Sequence, residues 1–213
     1  MVVGSARAPA GAGGLDPGVV PGCGTCFRPE RGRVELSGSA ADADAWDDAV
    51  ILHELGHAIA AVHARDDSPG GRHDGRRTWP PLAWSEGFAA FFAAWALGDP
   101  VLVDTRDGGA RVVDLAAEPG PEDVGTADGT LVGDVSEGLV AGVLWGLASG
   151  PAPEEVLLPL LLGGLADEAP DVGVPGLDLA DVLDRLACDV DPAALEAVAA
   201  GHGFPWRGPG CGR

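Results

Sequence analysis

Two histidines four residues apart, in His53-Glu54-Leu55-Gly56-His57, constrain this chain more than any other feature. On a helix they stand about 40° apart around the axis and can meet on one ion without distorting the backbone. Zinc accepts neutral imidazole, and a catalytic zinc takes three protein ligands while leaving a position for water. Glu54, beside the first histidine, is then placed to take a proton from that water as it attacks a carbonyl. The surroundings read as a helix: Asp42, Asp44, Asp47 and Asp48 crowd its first turns, where carboxylates complement the helix dipole. Leu52, Leu55, Ile59 and Val62 recur at helical spacing and predict its apolar face, while Gly56, Ala60 and Ala64 keep the histidine face small. A plain amphipathic core helix with two hydrogen-bonded histidines is the competing reading. It leaves an ionisable Glu54 in an apolar run unexplained, since an unpaired buried carboxylate is costly.

Two residues compete to be the third ligand. His63 completes His53-x3-His57-x5-His63, but Ala60 stands where a tight turn before it would want glycine. On a helix that continues through Ala60, His63 points about 240° away from His57 and cannot share its ion. Glu86 is the stronger candidate. Pro80 and Pro81 open a second helix that Gly98 and Pro100 end. Phe88, Phe91, Phe92 and Trp95 form its core stripe, and Glu86 shares another face with Ala89, Ala90, Ala93 and Leu97. Two helices with small contact faces approach closely, as a shared ion requires. The plainer reading of Glu86 is a first-turn carboxylate favoured by the dipole.

With these motifs in place, the chain resembles the gluzincins, zinc peptidases whose third ligand is a glutamate on the helix after the HExxH helix. The Trp84-Ser85-Glu86-Gly87-Phe88-Ala89 segment is similar to that of the large zinc aminopeptidases. Asp47 to Ala58 and Ala83 to Phe92 are still more similar to a group of bacterial secreted peptidases, with a vaguer echo at Ser136 to Leu147. The resemblance implies that His53, His57 and Glu86 bind zinc, that Glu54 is the general base, and that the substrate is a peptide or protein. The metzincins, whose third ligand would be His63, also carry a methionine turn beneath the metal, and the only methionine here is Met1. Other family features are missing. The Gly-x-Met-Glu-Asn segment that reads a free amine is absent, and Ala90 stands where thermolysin relatives often carry a histidine-orienting aspartate. Gluzincins stabilise the oxyanion with tyrosine or histidine. This chain has no tyrosine, which leaves His202 as the substitute the resemblance suggests; a helix C-terminal histidine is its plainer reading.

Composition sets outer bounds. The 213 residues carry 33 acidic and 13 basic side chains, a formal charge of −20, and every basic one is arginine. That balance excludes nucleic acid as an expected partner, since phosphate binding needs a basic patch. No apolar run is long enough for a transmembrane segment, and no signal-peptide pattern opens the chain. Residues 1–30 read as a Gly/Pro/Ala-rich leader, most marked over 1–22, and 31–213 as the metallopeptidase domain. Four cysteines favour two structural disulfides, Cys23 with Cys26 and Cys188 with Cys211, which with the resemblance point to a secreted or envelope protein.

The remaining elements are legible in outline. Arg33 to Leu36 reads as a strand, and Val101 to Asp104 with Arg111 to Leu115 as a hairpin around Asp107-Gly108-Gly109. Arg65 to Pro81 reads as a cleft rim in which His73 is a solvent residue, and Glu137 as a helix cap rather than a catalyst. Helices are expected at Glu154 to Leu165, Asp178 to Ala187 and Pro192 to Ala200. The expected architecture is α+β: a helix-dominated, zincin-like domain with a small N-terminal sheet. Three functions remain open: a zinc peptidase, a zinc-binding protein without catalysis, and a metal-free structural domain.

Overall fold

The computed structural model describes residues 5–6, 24–39, 41–71, 73–117, 131–164 and 171–208. The fold is α+β and helix-dominated, with a few small strand pairs. Three helices carry the centre: α1 (Asp48–His63), α2 (Pro80–Leu97) and α3 (Glu137–Ala148), with α2 packed between the other two. Residues Pro80 to Ala89 of α2 are all buried, as are Phe91 to Ala94. The helix starts on its proline pair and stops at Gly98, whose φ of 69° lets its amide cap the Ala94 and Trp95 carbonyls.

The sheet beside α1 has three strands, with β3 (Arg33–Leu36) between β1 (Ser5–Ala6, parallel) and β2 (Cys26–Arg28, antiparallel). It therefore takes in part of the segment read from sequence as leader. A short pair, β4 (Arg77–Thr78) with β7 (Val135–Ser136), ties the entry of α2 to that of α3. The hairpin runs from β5 (Val101–Arg106) to β6 (Gly109–Asp114), turning through Asp107 and Gly108 with φ of 51° and 73°. Positive φ at both central residues is the type I′ turn whose twist matches paired strands.

Helices α4 (Glu154–Pro159), α5 (Leu179–Leu186) and α6 (Pro192–Gly201) complete the order. Leu157, Leu183, Leu186 and Leu195 join Phe91, Leu139 and Leu144 in one core. The helix expected over Glu154 to Leu165 ends early at Pro159, which has no amide to continue it, and passes into a π-helical turn at Leu160–Gly164. The face expected to be apolar on α1 is another correction. Its buried positions are Glu54, Gly56, Ala58 and Ala60, whereas Leu52, Leu55 and Ile59 are half-buried and Val62 is 71% exposed. The small side is what meets α2, because close helix contact is worth more here than the bulk of the leucines.

Cys26 and Cys188 are not free thiols; Cys23 and Cys211, their expected partners, lie outside the described residues. Among the described residues no helix is long and apolar enough to cross a membrane.

Candidate metal centre

Glycine sets the distance between the helices that carry the site. A Cβ on Gly56, just before His57, would lie 3.0 Å from the Ala89 Cα. One on Gly87, just after Glu86, would lie 2.5 Å from the Val140 Cβ and 2.8 Å from the Glu137 carbonyl oxygen. Backbones of α1, α2 and α3 thus approach to near contact, and short side chains can meet across them.

Across the first of these crossings the Nε2 atoms of His53 and His57 lie 3.2 Å apart, and each lies 3.2 Å from Oε2 of Glu86. Donors around a tetrahedral zinc at about 2.0–2.1 Å stand about 3.3 Å from one another. The triangle therefore has the size of one face of such a site, and its two imidazoles and carboxylate are the donor types that zinc takes. On its other ring nitrogen, His57 has Ser85 Oγ at 3.4 Å, and Ser85 in turn donates to Asp66 Oδ2 at 2.9 Å. With a neutral imidazole, this relay would take the Nδ1 proton and leave the Nε2 lone pair to face a metal in the triangle; without a metal, Nε2 instead hydrogen-bonds Glu86. The relay fills the orienting role that Ala90 cannot.

The charges are tightly coupled. Burial opposes the Glu86 charge, but hydrogen bonds from His53 and His57 outweigh it and hold the carboxyl well below the usual range. Burial also disfavours a cation on His57; the hydrogen bond and charge of Glu86, with Glu54 and Asp66 behind it, reverse that and raise its pKa. Glu54 is pushed upward by burial, against the pull of both histidines and a Phe27 backbone hydrogen bond. Its Oε2 is buried with no hydrogen-bond donor, so one acceptor is held free beside the triangle.

These groups line a cleft of about 1110 Å³ bordered by the 66–71 and 73–75 loop segments and by the β5–β6 hairpin. The loop delivers a residue that the sequence reading set aside as solvent. His73 places Nε2 3.4 Å from Glu86 Oε1 and Nδ1 3.0 Å from Glu137 Oε2. The Glu137 hydrogen bond, opposed by burial, raises it to about 8. Glu137 is likewise not the cap it was read as. Ser136 caps α3 by accepting from the Leu139 amide, which frees Glu137 to face the cleft.

Two other expectations fall elsewhere. Helix α1 continues unbroken through Ala60, and His63 is exposed in its last turn, outside the converging donors. His202 is not brought to the cleft, because α6 packs on α3. Its ring nitrogens lie 3.0 Å from where a Cβ would stand on Gly142 and Gly146. His73 carried no periodic signal, lying in an irregular loop. Ser85 was in view within Trp-Ser-Glu-Gly, but nothing in one sequence marks a serine as a histidine's partner.

Residues 17–156 match the mycolysin C-terminal domain family, a span that includes His53, Glu54, His57, His73, Glu86 and Glu137. The chain belongs to that family. Mycolysin is a zinc metallopeptidase, so membership in the mycolysin C-terminal family sets the chain in a metallopeptidase context. The family is named for the C-terminal part of that enzyme, and membership alone assigns no catalysis. Comparison with curated proteins and with solved structures finds no match.

Proposed function

We propose that this chain is a zinc-dependent peptidase of the gluzincin type, in which His53, His57 and Glu86 hold the metal and Glu54 is the general base. The observation that carries this reading is the triangle of Nε2, Nε2 and Oε2 atoms with 3.2 Å edges, set beside a carboxylate with a free buried oxygen. Zinc in that triangle would supply a Lewis acid that polarises a peptide carbonyl and acidifies water.

The chain's own residues do the rest. Glu54 Oε2 accepts the proton of the attacking water and returns it to the departing amine. An upward-shifted carboxylate suits both halves of that transfer. The Asp66–Ser85 relay fixes the His57 ring. His73, held at the cleft by Glu137, takes the oxyanion-stabilising role first considered for His202. The cleft accommodates an extended segment of peptide or protein. Disulfides Cys23–Cys26 and Cys188–Cys211, in a secreted or envelope setting, complete the reading.

Catalytically silent zinc binding is the second reading, favoured by the family's name for a C-terminal part. Zinc stoichiometry by chelator competition, measured with cleavage of a peptide library, separates these readings. Glu86→Ala should lose zinc and His63→Ala should keep it; the reverse pattern would move the third ligand to His63. Glu54→Gln should keep zinc while cleavage falls by about 10²–10⁴-fold. Zinc retention with no cleavage by the wild type would leave only the silent reading. No zinc in the wild type would end both.

A further inference from the structure

Asp42, Asp44 and Asp104 line the same cleft and converge from three separate backbone positions. Asp42 lies in the loop before α1, where its backbone bridges to Arg106 of the hairpin. Asp44 opens a 3-10 turn at Asp44–Trp46, and Asp104 sits in β5. One carboxylate oxygen from each lies within 4.8 Å of the others. Dipole complementarity places Asp42 and Asp44 in the first turns of α1 when read from sequence, but that helix starts only at Asp48.

The second observation is how these carboxylates are partnered. Thr25 Oγ1 donates to Asp44 Oδ2, and Arg106 Nη2 donates to Asp104 Oδ2 at 2.7 Å. Oδ1 of Asp42, of Asp44 and of Asp104 are all buried and take no hydrogen bond from any group outside the cluster. Asp44 as a whole is only 4% exposed. A buried, ionised oxygen without a partner is among the costliest arrangements in a fold, and three adjacent ones compound it. Arg106 offsets one of three negative charges, leaving two. Burial above all raises Asp44 to about 6, against the Thr25 hydrogen bond and with a hydrogen bond and charge from Asp42 and the charge of Asp104 adding to it.

We propose that Asp42, Asp44 and Asp104 form a calcium site, distinct from the His53–His57–Glu86 triangle, that ties the β5–β6 hairpin to the entry of α1. The three side chains offer only oxygen, which excludes the nitrogen and sulfur preferences of zinc or copper and suits a hard divalent cation. Two oxygens on one calcium at about 2.3–2.6 Å span up to about 5 Å, which covers the separation here; magnesium at about 2.0–2.1 Å reaches little beyond 4 Å and demands a stricter octahedron. The charge of the cation equals the deficit left by Arg106. Asp47 already links the same two elements by accepting from the Thr105 amide and hydroxyl, so the cation would reinforce an existing joint in the cleft wall.

The test uses the full chain as purified and calcium chloride as the probe. Calorimetric titration should give one site per chain with a Kd on the order of 10⁻⁵–10⁻³ M, and about 5 mM calcium should raise the Tm by roughly 3–9 °C. Asp44→Asn and Asp104→Asn should weaken calcium at least tenfold while melting without calcium no lower than wild type, since a neutral amide relieves the repulsion. Asp107→Asn, on the exposed turn, should bind as wild type does. Magnesium at equal concentration should raise the Tm less than half as much. The proposal is overturned if wild type neither binds calcium nor gains Tm. It is equally overturned if Asp44→Asn and Asp104→Asn bind as wild type, which would place the calcium on the general acidic surface. Neither readout depends on cleavage or on zinc ligation by the triangle.

Discussion

Gly87→Ala should damage the metal centre although Gly87 is not a donor. The added methyl would sit 2.5 and 2.6 Å from Val140 Cβ and Cγ1 and 2.8 Å from the Glu137 carbonyl oxygen. A relaxed carbon contact needs about 3.5–4.0 Å, so α2 and α3 must separate by about 1 Å. Helix α2 has nowhere to go, because on its other side Ala89 Cα already lies 3.0 Å from the Cβ position of Gly56. Overpacking of this kind costs about 1–3 kcal/mol, and the helix propensity gained on replacing glycine returns about 1 kcal/mol. The net loss, at most about 2 kcal/mol, lowers the Tm by up to roughly 8 °C. Glu86 is the adjacent residue, and a shift near 1 Å exceeds the ~0.2 Å tolerance of a zinc–ligand distance, so zinc affinity should fall at least tenfold. Melting with and without chelator, and chelator competition, measure the two effects separately. Gly201→Ala is the control, since nothing lies within 4 Å of its Cβ position. If Gly87→Ala melts and binds zinc as Gly201→Ala does, the close helix crossing does not position Glu86.

Two further outcomes follow from other contacts. Ser85→Ala removes the link between His57 Nδ1 and Asp66, and should weaken zinc about 10–100-fold while the metal-free melt changes little; unchanged affinity would remove the relay from the site. Asp178 caps α5, is fully buried, and is raised to about 8 by burial and the neighbouring Asp181 charge. The folded state therefore holds a proton that the unfolded state releases near 3.8, so stability is greatest below that value and falls as pH rises toward about 8. Asp178→Asn keeps a capping oxygen and should flatten this slope, gaining about 1–3 kcal/mol at pH 8 relative to pH 5 by denaturant titration. An unchanged slope would place the proton elsewhere.

What the sequence made legible depended on periodicity and turn chemistry. Arg33 to Leu36 is a strand with those bounds, and the Pro80 start and Gly98 stop of α2 stand as read. Asp107-Gly108 marks its hairpin because few residues tolerate positive φ. The convergence of His53, His57 and Glu86 in space was legible from two small helix faces. The side of α1 that packs was not: hydrophobicity ranked Leu52, Leu55 and Ile59 above Gly56 and Ala60, and close approach reversed the ranking. His73, Glu137 and the aspartate cluster were illegible for a common reason. Each depends on loops meeting residues far along the chain, such as His73 with Glu137 or Asp42 with Asp104, and no local pattern encodes that pairing.

The segment that matches the family and the unit that folds are of different lengths. The match ends at residue 156, yet the core continues through Leu157, Leu161, Leu177, Leu183, Leu195, Phe204 and Trp206, all nearly inaccessible to solvent. These side chains belong to the same cluster as Phe91, Leu139 and Leu144, the inner surfaces of α2 and α3. A chain trimmed to the matched boundary would retain every residue of the metal triangle and strip the helices that back them. It would expose an apolar face that soluble monomers rarely tolerate, so aggregation would come before any loss of ligands. For this protein, a boundary drawn by family likeness is a boundary of ancestry, and the cooperative unit runs some fifty residues further, to Trp206 of the core.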